Sequence, residues 1–265
     1  MKLRLHHVDS FTTERFRGNP AAVLVLDRFP NDAFLLAVAA ENALSETAYV
    51  VPAGEKGRYE LRWFTPRLEV ELCGHATLAA AWVLVHRMGD ASPVLRFATR
   101  SGELRVRPHE DGLLELDFPA RRPAAVACDA VGVALGAAPV RVLETKAWYT
   151  AVFEREADVL SLRPDFRAVA ALERHGVIAT APGDEADFVS RCFVPWAGID
   201  EDPVTGSAHC DLTPYWAGRL GRLELFARQI SHRGGELHCR LEGDRVRIAG
   251  AVVPYLEGEI DAPGA

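Results

Sequence analysis

With 265 residues and a formal net charge of −7, the chain is long enough for one large domain or two of about 130 residues, and its acidic balance argues against nucleic acid, whose binding draws on clustered cations. A composition of 49% hydrophobic and 25% charged residues supplies packed cores and excludes general disorder. Five widely spaced cysteines without a C-x-x-C pattern argue against a disulfide framework. The N-terminal MKLRLHHVDSF alternates in hydrophobicity, and no run of about 18 apolar residues occurs, so the sequence reads as a soluble protein of the reducing cytoplasm with no membrane partner.

In chain order, residues 3–8 and 21–27 read as strands separated by the turn formers Gly18-Asn19-Pro20. Asn31 or Asp32 is placed to cap a helix over 31–43, where Phe34, Leu35, Val38, Ala39 and Leu44 fall near helical spacing. Residues 47–51 and 59–64 read as strands. Residues 75–88, rich in Ala and Leu with almost no polar face and closed by Gly89, predict a buried central helix. Three more short strands are predicted over 94–98, 102–107 and 113–117, and residues 117–123 form a Pro-rich charged boundary. The order then repeats: strands near 140–144 and 147–153, a helix near 165–174, strands near 176–180 and 186–193, a second helix reaching Gly221, and strands over 222–228, 236–241 and 245–249. Pro214 lies within that second helix, and its missing N–H predicts a helix shorter or kinked relative to the first. The pattern implies an α+β fold, predominantly antiparallel, with domains 1–119 and 120–265 and a C-terminal strand near 256–261 available to complete the first.

Two segments look like copies of one device: Phe64-Thr65-Pro66 leading to Cys73-Gly74-His75-Ala76-Thr77, and Phe193-Val194-Pro195 leading to Thr205-Gly206-Ser207-Ala208-His209. Each reads as a strand, a turn and a helix start whose first N–H groups have no internal partner and carry partial positive charge; as a pair they predict an anion clamp for a small molecule. Glu46, flanked by apolar residues, is either a solvated loop carboxylate or a general acid/base whose pKa partial burial would raise. Cys73-Gly74-His75 reads as a metal fragment, a nucleophile pair or a helix start carrying a polar ligand. The third and fourth ligands of a zinc site have no recognisable spacing, so no metal is expected, and an inert buried Cys73 is the plainer reading of the thiol. Asp202, its backbone restricted by Pro203, is an ordinary turn carboxylate or one aimed at a substrate amine or hydroxyl. Residues 228–235, which include Gly234, make a flexible hairpin or a turn whose amides approach a ligand.

Taken in order, Gly18-Asn19-Pro20-Ala21-Ala22-Val23, Leu44-Ser45-Glu46-Thr47, the run from Leu72 to Ala79, the run from Glu201 to His209, and Arg233-Gly234-Gly235 resemble the PhzF-like isomerase family of phenazine biosynthesis. The match spans nearly the whole chain. Diaminopimelate epimerase shares that family's fold, so the resemblance implies two pseudo-symmetric domains, each a mostly antiparallel sheet wrapped around a central helix, with an active site in the cleft between them. Diaminopimelate epimerases place a cysteine at each helix start as opposed bases; here Cys73 holds the first position and Thr205 the second. The implied activity is therefore a cofactor-independent and metal-free proton shift on a small carboxylate, amino-acid or hydroxy-acid substrate. Glu46, His75 and Asp202 would be catalytic, and Cys73, Gly74, Gly206, Ser207 and Gly234 would bind the substrate. A homodimer is implied as well. The alternatives are an amino-acid racemase or epimerase on the same scaffold and a non-catalytic ligand-binding or interaction module.

Overall fold

The computed structural model describes residues 2–262. The chain divides into two compact units, one running to Asp117 and resuming at Ala249, the other covering Phe118–Ile248. Its elements, in chain order, are β1 (Lys2–Ser10), β2 (Asn19–Val25), α1 (Asp32–Asn42), β3 (Glu46–Pro52), β4 (Arg58–Phe64), β5 (Glu69–Val70), α2 (Gly74–His86), β6 (Leu95–Thr99), β7 (Gly102–Pro108), β8 (Leu114–Pro119), β9 (Ala124–Ala125), α3 (Asp129–Leu135), β10 (Arg141–Glu144), β11 (Trp148–Val152), α4 (Glu156–Leu160), α5 (Phe166–Ala170), β12 (Gly176–Pro182), β13 (Phe188–Phe193), β14 (Glu201–Asp202), α6 (Gly206–Leu220), β15 (Glu224–Gln229), β16 (Gly235–Glu242), β17 (Arg245–Gly250) and β18 (Val252–Asp261).

In the first unit the ladder runs β18–β1–β2–β3–β4–β6–β7–β8, with the two-residue β5 beside β6 on the same strand, β4. Only β2/β3 and β4/β6 are parallel among these pairs. In the second unit the ladder runs β9–β10–β11–β12–β13–β15–β16, with β14 beside β15 on β13, and again only two pairs are parallel, β11/β12 and β13/β15. The two units therefore carry one strand order, and register matches them residue by residue: Phe64 pairs with Glu69 and Thr47 as Phe193 pairs with Glu201 and Val177. This is the pseudo-symmetric, largely antiparallel α+β architecture that the sequence predicts.

The repeat extends to side chains. Arg62 forks onto Glu69, with Nε to Oε1 at 2.8 Å and Nη2 to Oε2 at 2.6 Å. At the matching place Arg191 forks onto Glu201, both bonds 2.8 Å. Each fork pins the short β5 or β14 segment against the preceding strand, so the loop entering the next helix starts from a fixed point; bidentate guanidinium–carboxylate pairs supply this geometric specificity. Each arginine also reaches a helix of the preceding crossover, Arg62 through Asp32 on α1 and Arg191 through the carbonyls of Val159 and Leu162 beside α4.

α1 begins where Asn31 caps it, the side chain accepting from Phe34 N–H at 2.9 Å. α2 packs on β1, β2 and β3, and everything from Gly74 to Leu84 is buried. Leu78, Ala79, Ala80, Ala81 and Val83 are fully buried, with Leu78 alone contributing on the order of 2 kcal/mol. The helix stops at His86, three residues before Gly89. The stretch near 165–174 holds only the short α5, capped by Asp165. Pro214 does not shorten α6, as one of the two expectations had it: the helix spans 15 residues against 13 for α2. The carbonyl of Cys210, which Pro214 cannot serve, accepts instead from the backbone N–H of Arg121 at 2.9 Å, so the helix loses a bond without leaving a buried acceptor orphaned. No helix among the described residues is long and apolar enough to cross a membrane.

Candidate active site

Three element starts meet at one edge of the first unit. Parallel β2 and β3 pair Ala21 with Glu46, which puts the starts of both strands, Asn19 and Glu46, at the same end, and α2 packs across them with His75 in its first turn. Glu46 Oε2 lies 3.1 Å from His75 Nε2. On the other side of the ring, Nδ1 is 3.1 Å from Asn19 Nδ2 and 3.5 Å from Cys73 Sγ. Ser10 Oγ donates to the His75 carbonyl at 2.8 Å. Gly18 makes this approach possible: its φ is +66°, and a Cβ there would stand 2.2 Å from the Ser10 carbonyl oxygen.

Asn19 Nδ2 and Cys73 Sγ approach Nδ1, and a Glu46 carboxylate oxygen approaches Nε2 without completing a hydrogen bond to it. Burial disfavours charge on His75, but the Cys73 sulfur and the Glu46 carboxylate outweigh it and raise the imidazole well above its ordinary value. Burial, with the Glu46 charge behind it, pushes the Cys73 thiol up to about 11. Glu46, Cys73 and His75 offer donor atoms within 4.8 Å of one another.

In the second unit the start of α6 gathers a different set. Thr205 Oγ1 donates to Asp202 Oδ2 at 2.6 Å. Gln229, at the end of β15, accepts from Thr205 N–H at 2.8 Å and donates to the Asp202 carbonyl at 2.8 Å and to Thr205 Oγ1 at 3.1 Å. Gly234 N–H donates to Ser231 Oγ, which donates to the Pro203 carbonyl at 2.7 Å, so the turn before β16 is tied to the Asp202 loop. Gly206 and Ser207 form the first turn of α6. Neither Cys73 nor Thr205 caps its helix through the side chain, which leaves first-turn N–H groups at Gly74, His75, Gly206 and Ser207 for an anion. Thr77 Oγ1 and His209 Nδ1 occupy matching positions and both donate to the carbonyl at the helix start, Cys73 and Thr205 respectively.

The structure thus assembles Glu46, Cys73, Gly74 and His75 in one unit, and Asp202, Gly206, Ser207 and the Gly234 turn in the other. The sequence reading missed Asn19, Ser10 and Gln229 as supporting groups. Asn19 and Gln229 did fall inside segments marked as motifs, but their partners lie 56 and 24 to 27 residues away. Pairing also shows what the second unit lacks. The residue matched to Glu46 by register is Gly176, whose added Cβ would stand 2.1 Å from the Phe193 carbonyl oxygen, so no side chain fits there.

Two repeats of one ladder, each closed on a helix with an uncapped start, define an architecture also found in enzymes that invert small acids. A hydroxyproline epimerase from Agrobacterium vitis superposes with a TM-score of 0.63 over 98% of this chain and 92% of its own, at 12% identity, a likeness of fold. The chain itself belongs to the PhzC-PhzF family of phenazine biosynthesis-like proteins, which matches residues 8–258. It is 52% identical to an uncharacterized isomerase of Pseudomonas aeruginosa over 98% of this chain and 99% of the relative. A PhzF-family protein of Enterococcus faecalis, solved by crystallography, superposes with a TM-score of 0.94 at 43% identity, covering 98% of this chain and all of that one.

Proposed function

We propose that this protein is a cofactor-independent isomerase in which Glu46 moves a proton between two carbons of one small carboxylate, amino-acid or hydroxy-acid substrate. The observation that carries this reading is the Glu46–His75 pair: a carboxylate largely withdrawn from water, 3.1 Å from Nε2 of a buried imidazole. Glu46 takes the proton from an acidified carbon, the C–H electron pair shifts into the neighbouring unsaturated system, and the same carboxyl returns the proton to another carbon. The step balances on proton transfer alone. The His75 ring packs beside Glu46 and holds it in place, and the first-turn amides at Gly74, His75, Gly206 and Ser207 take up the substrate carboxylate or the enolate-like charge. Asp202 receives an amine or hydroxyl, with Cys73 and the Gly234 turn lining the substrate.

A two-base racemase is the competing reading. Cys73 held protonated, Thr205 at the place of a second thiol and Gly176 at the place of a second Glu46 all favour one base. The test incubates the protein with a panel of small unsaturated amino and hydroxy acids in deuterated water and follows deuterium incorporation. Glu46→Gln is expected to lose about 10²–10⁴-fold in exchange rate, and Cys73→Ser to retain most of it. The reverse order would establish thiol-based racemisation, and no exchange across the panel by the wild-type protein would favour a binding module.

A further inference from the structure

Thr205 stands where a second thiol base would be, yet its hydroxyl proton is taken up by Asp202. The hydroxyl accepts from Gln229 Nε2 at 3.1 Å and donates its only proton to Asp202 Oδ2 at 2.6 Å, a length typical of a hydroxyl bonded to a charged carboxylate. Gln229 is 1% exposed, and the same side chain grips the Thr205 N–H and the Asp202 carbonyl. One buried amide therefore fixes both ends of the Asp202–Thr205 segment and the direction of the hydroxyl between them. An N-cap threonine ordinarily turns its oxygen to the first-turn amides, and Thr205 does not. Its hydroxyl serves Asp202, and those amides stay available.

We infer that Thr205 and Gln229 are positioning residues for Asp202: the Gln229 amide aims the Thr205 hydroxyl, which holds the Asp202 carboxylate in one orientation toward its ligand. This rests on the substrate-binding role given to Asp202 above. Titratable groups beside Asp202 include the Cys192 thiol, which burial and then the Asp202 charge hold well above the ordinary value against a bond to Thr205, and Glu201, which is forked by Arg191.

The test is carboxyl ¹³C NMR of the full-length protein labelled at aspartate, with the Asp202 signal assigned by its loss in Asp202→Asn. The Asp202 midpoint is expected to rise by about one pH unit in Thr205→Val, the order of one hydrogen bond to a charged group, and to return in Thr205→Ser. Gln229→Met, which frees the hydroxyl to rotate, should move the midpoint the same way and serves if Thr205→Val does not fold. A midpoint unchanged in the folded variants, or one that Thr205→Ser leaves displaced, would overturn the inference. On a substrate found by deuterium exchange, the acid limb of kcat/KM should move with the NMR midpoint, a response that a purely structural role of the hydroxyl does not give. Failure of exchange in the wild-type protein would sink the isomerase reading and leave the titration to decide the role of Thr205 independently.

Discussion

Replacing Arg121 by Met probes the most buried charge in the second unit. Asp211, on α6, is fully buried; one oxygen accepts from Arg121 Nε and the other from Thr145 Oγ1 at 2.7 Å, while Arg121 Nη2 donates to the Ser207 carbonyl. Arg121→Met leaves the backbone bond to Cys210 but strips Asp211 of its countercharge and the first turn of α6 of a staple. Breaking a buried pair by removing one partner costs about 3–5 kcal/mol, and retention of the Thr145 bond argues for the lower end, about 3. Burial already raises the Asp211 pKa against the opposing Arg121 charge and Thr145 bond; without Arg121 it rises further. A carboxyl raised in the folded state binds more protons there than in the unfolded chain, so stability falls as pH increases from the unfolded value, about 3.9, through the folded one. The variant's deficit should therefore be full at pH 8 and shrink as pH approaches 4, and Asp211→Asn in the same background should recover much of it. Urea denaturation at several pH values measures this. A deficit independent of pH, or none, would refute the reasoning.

Two further outcomes follow from the structure. Gly18→Ala forces a side chain into a left-handed backbone 2.2 Å from the Ser10 carbonyl, so it should lose about 1–3 kcal/mol in urea denaturation and displace Asn19 from His75; an unchanged midpoint would show that the loop yields freely. Burial pushes His209 down to about 4, so its ring signals should not titrate between pH 5.5 and 8, and stability should fall as pH drops from about 6.5 toward 4, where the unfolded chain binds a proton that the folded one refuses. A His209 resonance titrating near 6.5 would contradict the burial.

Much of the fold was legible because it depends on local pattern. The alternation of residues 59–64 and the apolar run through α2 fix strand and helix type wherever they are placed, and the doubled Gly-containing helix start betrayed the repeat. Short elements were not legible: β5 and β14 are two residues each and exist because β4 and β13 offer them an edge. The length of α6 was misjudged because the answer to Pro214 comes from Arg121, 89 residues from the Cys210 carbonyl it serves.

Of the candidate site, the sequence by itself determined the chemistry available: one thiol against one threonine at the two helix starts, a carboxylate outside both, and an ordered set of motifs that places the chain in its family. Only tertiary structure decided what those groups do to one another. Glu46 and His75 are 29 positions apart and meet because parallel β2 and β3 begin at the same edge beneath the start of α2. Gly176 shows itself as the empty counterpart of Glu46 only through strand register. Hydrogen-bond direction, burial and charge coupling depend on distances of a few ångströms, which long-range pairing sets and local sequence does not encode.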